Sequence, residues 1–324
     1  MPSQTPPLVS VVTPAYNEEP HLAQCLDSVL AQTHTNWECI VVNNCSTDGT
    51  LAIAQQYAAY DPRFRVISNA TLLPAITNFN FALRQISTTS KYAKMILADD
   101  WMFPQCLERM IELMERQPSI GIVGAYGLQG QWVLWEGLPF PCERISGKEV
   151  CRQRLLGGPY VFGSQSSVLI RSDLIRSRIP FYSETAEHAD SEVCFELLKK
   201  CDFGFVHQVL TFSRVRPGSM LETSRELNTL APSILHELLA FGRYFLTSEE
   251  YDNRLKSLLV DYYDFLATSF FEQRPKPFWD YHKKRLSEEG MGFSQLRLAS
   301  TVGRRLLRRL SPRRNVAGTR QWGL

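Results

Sequence analysis

The chain has no Cys-x-x-Cys pair; its eight cysteines, Cys25, Cys39, Cys45, Cys106, Cys142, Cys151, Cys194 and Cys201, are scattered. That spacing argues against both a metal knuckle and a disulfide framework. No uninterrupted apolar run approaches the length of a bilayer-spanning helix. The polar, proline-rich start, Met1 to Leu8, offers neither a signal peptide nor an anchor, so a reduced, cytoplasmic compartment is the expectation. Also missing are a Gly-x-Gly-x-x-Gly after the first strand-like segment and a Walker lysine loop, which removes most of the support for dinucleotide cofactors and P-loop chemistry. Acid is lacking at one end. From Gly290 onward there are eight arginines and no Asp or Glu, whereas the preceding residues hold 27 basic against 33 acidic side chains, a net charge of −6. An acidic body without a reading module argues against a nucleic-acid partner.

What is present is an ordinary globular composition, 44% hydrophobic and 21% charged over 324 residues, enough for two packed subdomains. Leu8 to Thr13 is rich in β-branched residues and predicts a first strand ending at Pro14, which cannot donate to a ladder. Leu22, Cys25, Leu26, Val29 and Leu30 follow at helical spacing. Cys39–Val42 and Phe64–Ile67 predict two more strands, each followed by a helical pattern. The stretch Asn43 to Gly49 between them is dense in turn formers and able to cap a helix near Thr50. Tyr92 to Ala98 is a fourth strand-like run, stopped by Asp99 and Asp100. A helix over 104–116 and a strand at Ile120–Val123 complete an alternation that calls for a parallel sheet with helices on both faces.

Two adjacent acids at a strand end have two readings. They can hold a divalent cation, since Mg²⁺ commonly shares a carboxylate or two with substrate phosphates. Alternatively Asp100 caps the following helix and Asp99 is solvated. After Gly124 the pattern turns aromatic and glycine-rich, from Gln131 to Pro141. Ser146-Gly147-Lys148-Glu149 then reads as a capping box, Ser166–Arg171 as a strand, 188–200 as a helix, and Phe203–Val206 and Val209–Ser213 as two short strands. From Glu222 helices dominate. In the last of them Leu298, Val302, Leu306 and Leu310 share a face opposite the arginines.

Four segments together resemble glycosyltransferase family 2: Val9 to Glu18, Val42 to Thr50, Leu97 to Asp100, and Ala189 to Glu192. The resemblance covers roughly residues 9–219. It implies the GT-A fold, a Rossmann-like, mostly parallel α/β sheet flanked by helices, here with a C-terminal helical extension. It also implies inverting transfer of a sugar from a nucleotide donor, UDP- or dTDP-linked being favoured, with Mn²⁺ or Mg²⁺ as cofactor. On this resemblance Pro14, Tyr16, Glu18, Asn44 and Asp99 contact the nucleotide, Tyr16 by stacking on the base. Asn44 stands where relatives usually have an aspartate. Asp100, with Asp99, would hold the metal. Asp190 matches the base that deprotonates the acceptor hydroxyl; read without the family it is a helix N-cap. Relatives often carry Glu where Ala189 stands, so Glu187 or Glu192 could share its task. Where many relatives carry a histidine near the diphosphate, this chain has Arg216, with Arg214 close by.

The implied organisation is a nucleotide-sugar-binding half over 1–125, an acceptor-binding half over 126–221 and a helical extension over 222–324. No Gln-x-x-Arg-Trp is present, so a non-processive enzyme is expected, adding one sugar to a glycan or lipid-linked acceptor in cell-surface polysaccharide synthesis. Trp132 and Trp135 could form an acceptor platform or be core under a loop. His188 and His207 read as packed or solvated side chains, not metal ligands. The basic helix over 296–314 can lie on an anionic membrane surface, dock a partner enzyme, or be a solvated terminus. Two rival functions remain open: a non-catalytic nucleotide-sugar-binding or scaffold protein, motivated by Asn44 and Ala189, and a nucleotidyltransferase, which lacks its expected glycine-rich loop.

Overall fold

A computed structural model describes residues 5–135, 138–215 and 220–310. Arg216 and residues 311–314 of the expected basic helix lie outside them. The chain falls into two compact units, one running up to Leu221 with Tyr244–Leu246, the other Glu222–Arg243 and Thr247 onward. None of the described helices is long and apolar enough to cross a membrane.

The first unit is built on one sheet. Strands β1 (Val9–Ala15), β2 (Trp37–Asn43), β3 (Phe64–Ser68) and β4 (Tyr92–Met95) run parallel in the order β3-β2-β1-β4. Helices α1 (Leu22–Leu30), α2 (Thr50–Tyr60) and α3 (Ala75–Leu83) connect them. Every residue of β1 is buried, which is what a parallel strand covered on both faces requires. β1 continues through Pro14, opposite Val42, to Ala15, where the sequence predicted an end. The reason is directional. Val12 O accepts from Ile96 N, whereas Ala15 O accepts from Asn44 N. Pro14, two residues after Val12, therefore turns its missing N–H toward the β4 side, where pairing has already stopped at Val12↔Met95. No ladder bond is lost.

Beyond β4 the sheet changes character. A two-residue strand, β5 (Trp101–Met102), is followed by α4 (Cys106–Arg116) and then β6 (Ile120–Gln129), β7 (Trp132–Leu134) and β8 (Arg144–Ile145). Helix α5 (Gly147–Leu155) starts at Ser146, whose hydroxyl accepts from Glu149 N. β9 (Leu169–Arg171) slots antiparallel between β4 and β6. α6 (Ser172–Arg176) and α7 (Ala189–Leu197) lead to β10 (Asp202–Phe212). The two short strands expected there are one, because register shifts at Val206/Val209 and Val209/Thr211 keep it paired to β6 across the irregular stretch.

The second unit holds helices α8 (Met220–Leu227, whose first two residues belong to the first unit), α9 (Leu230–Phe245, whose last two residues do so too), α10 (Ser248–Phe271), α11 (Lys276–Glu288) and α12 (Gln295–Leu310). α10 opens on a capping box: Thr247 Oγ1 accepts from Glu250 N while Glu250 accepts from Thr247 N. Pro275 and Pro277 punctuate the start of α11, where proline costs no helical hydrogen bond.

Candidate active site

The carboxyl ends of β1 and β2 carry two loops that hydrogen-bond to each other. Asn17 sits at φ 52°, a left-handed conformation asparagine tolerates. That turn lets its side chain accept from Thr47 N at 2.8 Å while its own N–H meets Ser46 Oγ at 3.1 Å. Glu18 N donates to Thr50 Oγ1 at 2.7 Å, and Gly49 N donates to Glu19 Oε2 at 2.8 Å. The pair of loops leaves the Tyr16 ring 45% exposed at the sheet edge. Glu18 is buried.

Asn44 is committed to its own protein. Its Oδ1 accepts from Asn69 Nδ2 at 2.8 Å and Leu73 N at 2.9 Å, and its Nδ2 donates to Leu73 O at 2.9 Å. The amide thus fastens the 69–73 segment that follows β3, leaving one N–H of its four hydrogen-bonding positions to spare.

Asp99 and Asp100 lie in a turn just past β4, with Asp100 N bonded to Leu97 O at 2.9 Å. α4 begins only at Cys106 with Gln105 at its cap position, so Asp100 does not cap it. What holds Asp100 is the β5–β10 pairing, in which Phe212 faces Trp101 with the two rings stacked at 3.7 Å. Ser213 and Arg214 emerge beside the acids. Arg214 N donates to Asp100 Oδ1 at 3.0 Å, and Ser213 Oγ stands 3.5 Å from Oδ2. The Arg214 guanidinium bonds Asp99 O and Gln24 Oε1 and sits 5.3 Å from the Trp101 ring. Only 5% exposed, the Asp100 carboxyl is pushed up to about 6, chiefly by burial and secondarily by the Asp99 charge, against the hydrogen bonds from Ser166, Arg214 and Ser213. Lys94, in the middle of β4, is fully buried and donates to Ser166 O at 2.7 Å and Val168 O at 3.3 Å. Burial lowers its proton affinity. Ser166 Oγ accepts from Leu97 N at 3.1 Å, so this segment braces the run into the acid pair.

Asp190 is the second residue of α7, and His188 occupies the cap position without a side-chain capping bond. Asp190 is therefore not the N-cap. Its Oδ1 accepts from Ser191 N at 3.0 Å, and its charge helps raise the buried Tyr182 hydroxyl, where burial is the larger cause. The chain before α7 is fixed by Asn80 of α3: Asn80 Nδ2 donates to Tyr182 O at 2.9 Å and Oδ1 accepts from Tyr182 N at 2.8 Å. Ala189 is buried and Glu192 pairs with Arg178 at 3.7 Å.

The two tryptophans part company. Trp132 is 69% exposed, while Trp135 is half-buried and lies so close to Gly127 that a Cβ there would meet its Nε1 at 2.7 Å. His207 is structural, its ring spanning the Tyr126 hydroxyl at 3.0 Å and Cys142 O at 2.8 Å. Sequence reasoning missed Ser213, Ser166 and Asn80, which have no motif, and passed over Lys94, whose charge inside an otherwise apolar strand was the readable signal.

The donor set suits a shared cation. Among the described residues no three His, Cys, Asp or Glu side chains gather into a cage, whereas the acid pair supplies two carboxylates. One of them is a buried group whose charge lacks solvation, so a divalent ion completed by substrate phosphates fits it.

These features agree with what the chain is similar to. It is 38% identical over 126 residues to the putative teichuronic acid biosynthesis glycosyltransferase TuaG of Bacillus subtilis, covering 39% of this chain and 49% of that protein. The chain spans about half the length of the first curated relatives it matches, 56% and 49%. Among solved structures it is similar to S. aureus TarS 1-349 in complex with UDP-GlcNAc, with a TM-score of 0.63 and 18% identity over 91% of this chain and 88% of that one. A second is the mannosyltransferase PcManGT of Pyrobaculum calidifontis in complex with GDP-Man and Mn²⁺, with a TM-score of 0.54 and 15% identity over 93% and 88%. At such identities the two structures speak for the fold, a GT-A-type sheet flanked by helices with a helical region after it. The profile described as Glycosyl transferase family 2 matches residues 10–177, more than half of the sequence, and the chain belongs to that family.

Proposed function

We propose that this protein transfers one sugar from a nucleotide-diphosphate sugar to a hydroxyl of a glycan or lipid-linked acceptor in polysaccharide biosynthesis, with inversion and with Mn²⁺ or Mg²⁺ bound. One observation carries the reading. The buried acid Asp100 stands beyond β4 on the same carboxyl edge as Tyr16 beyond β1 and Asn44 beyond β2, the edge where open α/β sheets bind nucleotides. UDP-GlcNAc in the TarS complex, and Mn²⁺ in the mannosyltransferase complex, support the ligand classes.

Tyr16 offers an exposed ring to the base, with Pro14 and Glu18 shaping the turn that presents it. Asn44 contributes by holding the 69–73 segment and through its one remaining N–H. Asp99 and Asp100 would hold the cation, which supplies positive charge to the departing diphosphate. Arg214 has most of its donors unspent and would add forked hydrogen bonds to phosphate oxygens; Arg216 has the same chemistry. Asp190 takes the acceptor hydroxyl's proton as the oxygen bonds to the anomeric carbon and the bond to the diphosphate oxygen breaks. Trp132 presents an apolar face to an acceptor sugar, and α12 gives the chain a peripheral contact with an anionic membrane.

Asp190→Asn tests the base. Turnover is expected to fall by about 10²- to 10⁴-fold while calorimetric donor binding stays within about twofold, and an active variant removes Asp190 from the role. A second reading, a non-catalytic binding protein of the same fold, draws on the committed Asn44 amide and the buried Ala189. Sustained, Asp190-dependent release of nucleoside diphosphate excludes it; its absence with every donor tried would favour it.

A further inference from the structure

In the helical unit, α12 packs along α10 with Thr301 buried at the seam, its hydroxyl bonded to Arg297 O at 2.9 Å. Beside that seam lies a groove of about 510 Å³, lined by apolar Leu259, Val260 and Leu296 and by the cations Lys256, Arg297 and Arg304. Its size falls in the range of small-ligand sites.

Two independent features say what belongs there. The first is charge. Lys256, Arg297 and Arg304 form no ion pair with any described residue, although neighbouring cations of the unit do: Arg285 with Glu288 at 2.8 Å, Lys276 with Asp280 at 3.2 Å, Arg305 with Asp264 at 3.7 Å. Residues 290–324 contain no acidic side chain that could supply a partner. Arg297 and Arg304 are seven residues apart, so they stand on one face of α12 about 10 Å from each other. The second is apolar exposure. Leu296 is 84% and Val260 54% exposed, hydrocarbon left in water beside uncompensated positive charge. Inorganic phosphate has no use for the apolar side chains, and an apolar peptide has none for three cations.

We propose that this groove seats one anionic bilayer lipid, its phosphate head between Lys256, Arg297 and Arg304 and its chain along Leu259, Val260 and Leu296. The proposal rests on the peripheral membrane contact described above and narrows it from a diffuse basic helix to one site.

The test compares full-length protein in co-sedimentation with phosphatidylcholine vesicles with and without phosphatidylglycerol. A Lys256→Ala/Arg297→Ala variant is set beside Lys276→Ala/Lys284→Ala, which removes the same charge from α11. The groove variant is expected to lose about 10-fold or more in partitioning to phosphatidylglycerol vesicles and the α11 variant about twofold at most. In solution, calorimetry with decyl phosphate is expected to give at least about tenfold tighter binding than inorganic phosphate. Val260→Ser, at an exposed position, should reduce that preference without adding or removing charge, and it serves if the double variant does not fold. Equal losses in both double variants would overturn the groove while leaving peripheral contact standing. No binding to either vesicle would overturn both, and equal affinity for decyl and inorganic phosphate would reduce the site to a simple anion site.

Discussion

Each unit buries a titratable side chain, and the two are treated in opposite ways. In the helical unit His282 is fully buried against Phe278 and Phe265. Its Nε2 lies 2.9 Å from Leu227 O and so donates, leaving Nδ1 to accept from the Tyr262 hydroxyl at 2.7 Å. Burial pushes its pKa down to about 4, and the ring stays neutral with both nitrogens satisfied. Asp100 in the sheet unit is nearly as buried, yet burial pushes it up to about 6. Near neutral pH it is held as a charge in surroundings that disfavour charge, and the hydrogen bonds from Ser166, Arg214 and Ser213 offset that cost only in part. A satisfied neutral group contributes stability; an under-compensated charge at a strand end costs it, and such cost is characteristic of a binding site.

The largest contrast comes from paired alanine variants. Asp100→Ala should weaken Mn²⁺-dependent binding of UDP by about 100-fold or more while leaving thermal stability equal or higher. His282→Ala should leave that binding unchanged and cost about 3 kcal/mol in urea unfolding, from the lost ring and the unpaired Tyr262 hydroxyl. Crossed results, with Asp100→Ala unfolding the chain or His282→Ala abolishing UDP binding, would break the comparison.

Acid should separate the two groups next. His282 has a folded value of about 4, below the ordinary 6.5 of an unfolded chain. Its stabilisation is therefore complete above pH 6.5 and is lost as pH falls toward 4, by about 3 kcal/mol in all. Asp100 runs the other way. Its folded value of about 6 lies above the ordinary 3.8 of an unfolded chain, so the native state binds the extra proton and the metal-free protein is relieved as pH falls from 6 to 4. The smallest expected effect follows from this sign. Asp100→Asn should exceed the parent by about 2 kcal/mol at pH 7.5 without metal and match it near pH 4. A variant less stable at both pH values would show that the charge is compensated after all.

How much of this could be read beforehand depended on the range of the interaction. β1, β2 and the run into Asp99-Asp100 were legible because each is a short apolar stretch with its own turn signals. The ends of these strands then had to share one edge, since parallel strands joined by helices leave their carboxyl ends on the same side. β5 was invisible, being two residues long, too short to carry a period, and meaningful only opposite Phe212 more than a hundred residues later. β10 looked like two strands because a register shift interrupts alternation without interrupting pairing. The cap readings of Asp100 and Asp190 failed for a simpler reason. A helix start two to six residues away is within the error of any propensity argument, and it was settled by where Gln105 and His188 fall.

The amino-acid order by itself determined the sheet's parallel half, the paired acids at its edge and the arginine-rich, acid-free end, all of which depend on neighbours in sequence. Tertiary structure alone decided that Asp100 is buried under Ser213 and Arg214, that Asn44 spends its amide on its own loop, and that three cations of α10 and α12 stand together without an ion pair to any described residue. Those are properties of side chains brought together from distant positions, and proton affinity, hydrogen-bond commitment and charge compensation are set by the neighbours a side chain meets in space.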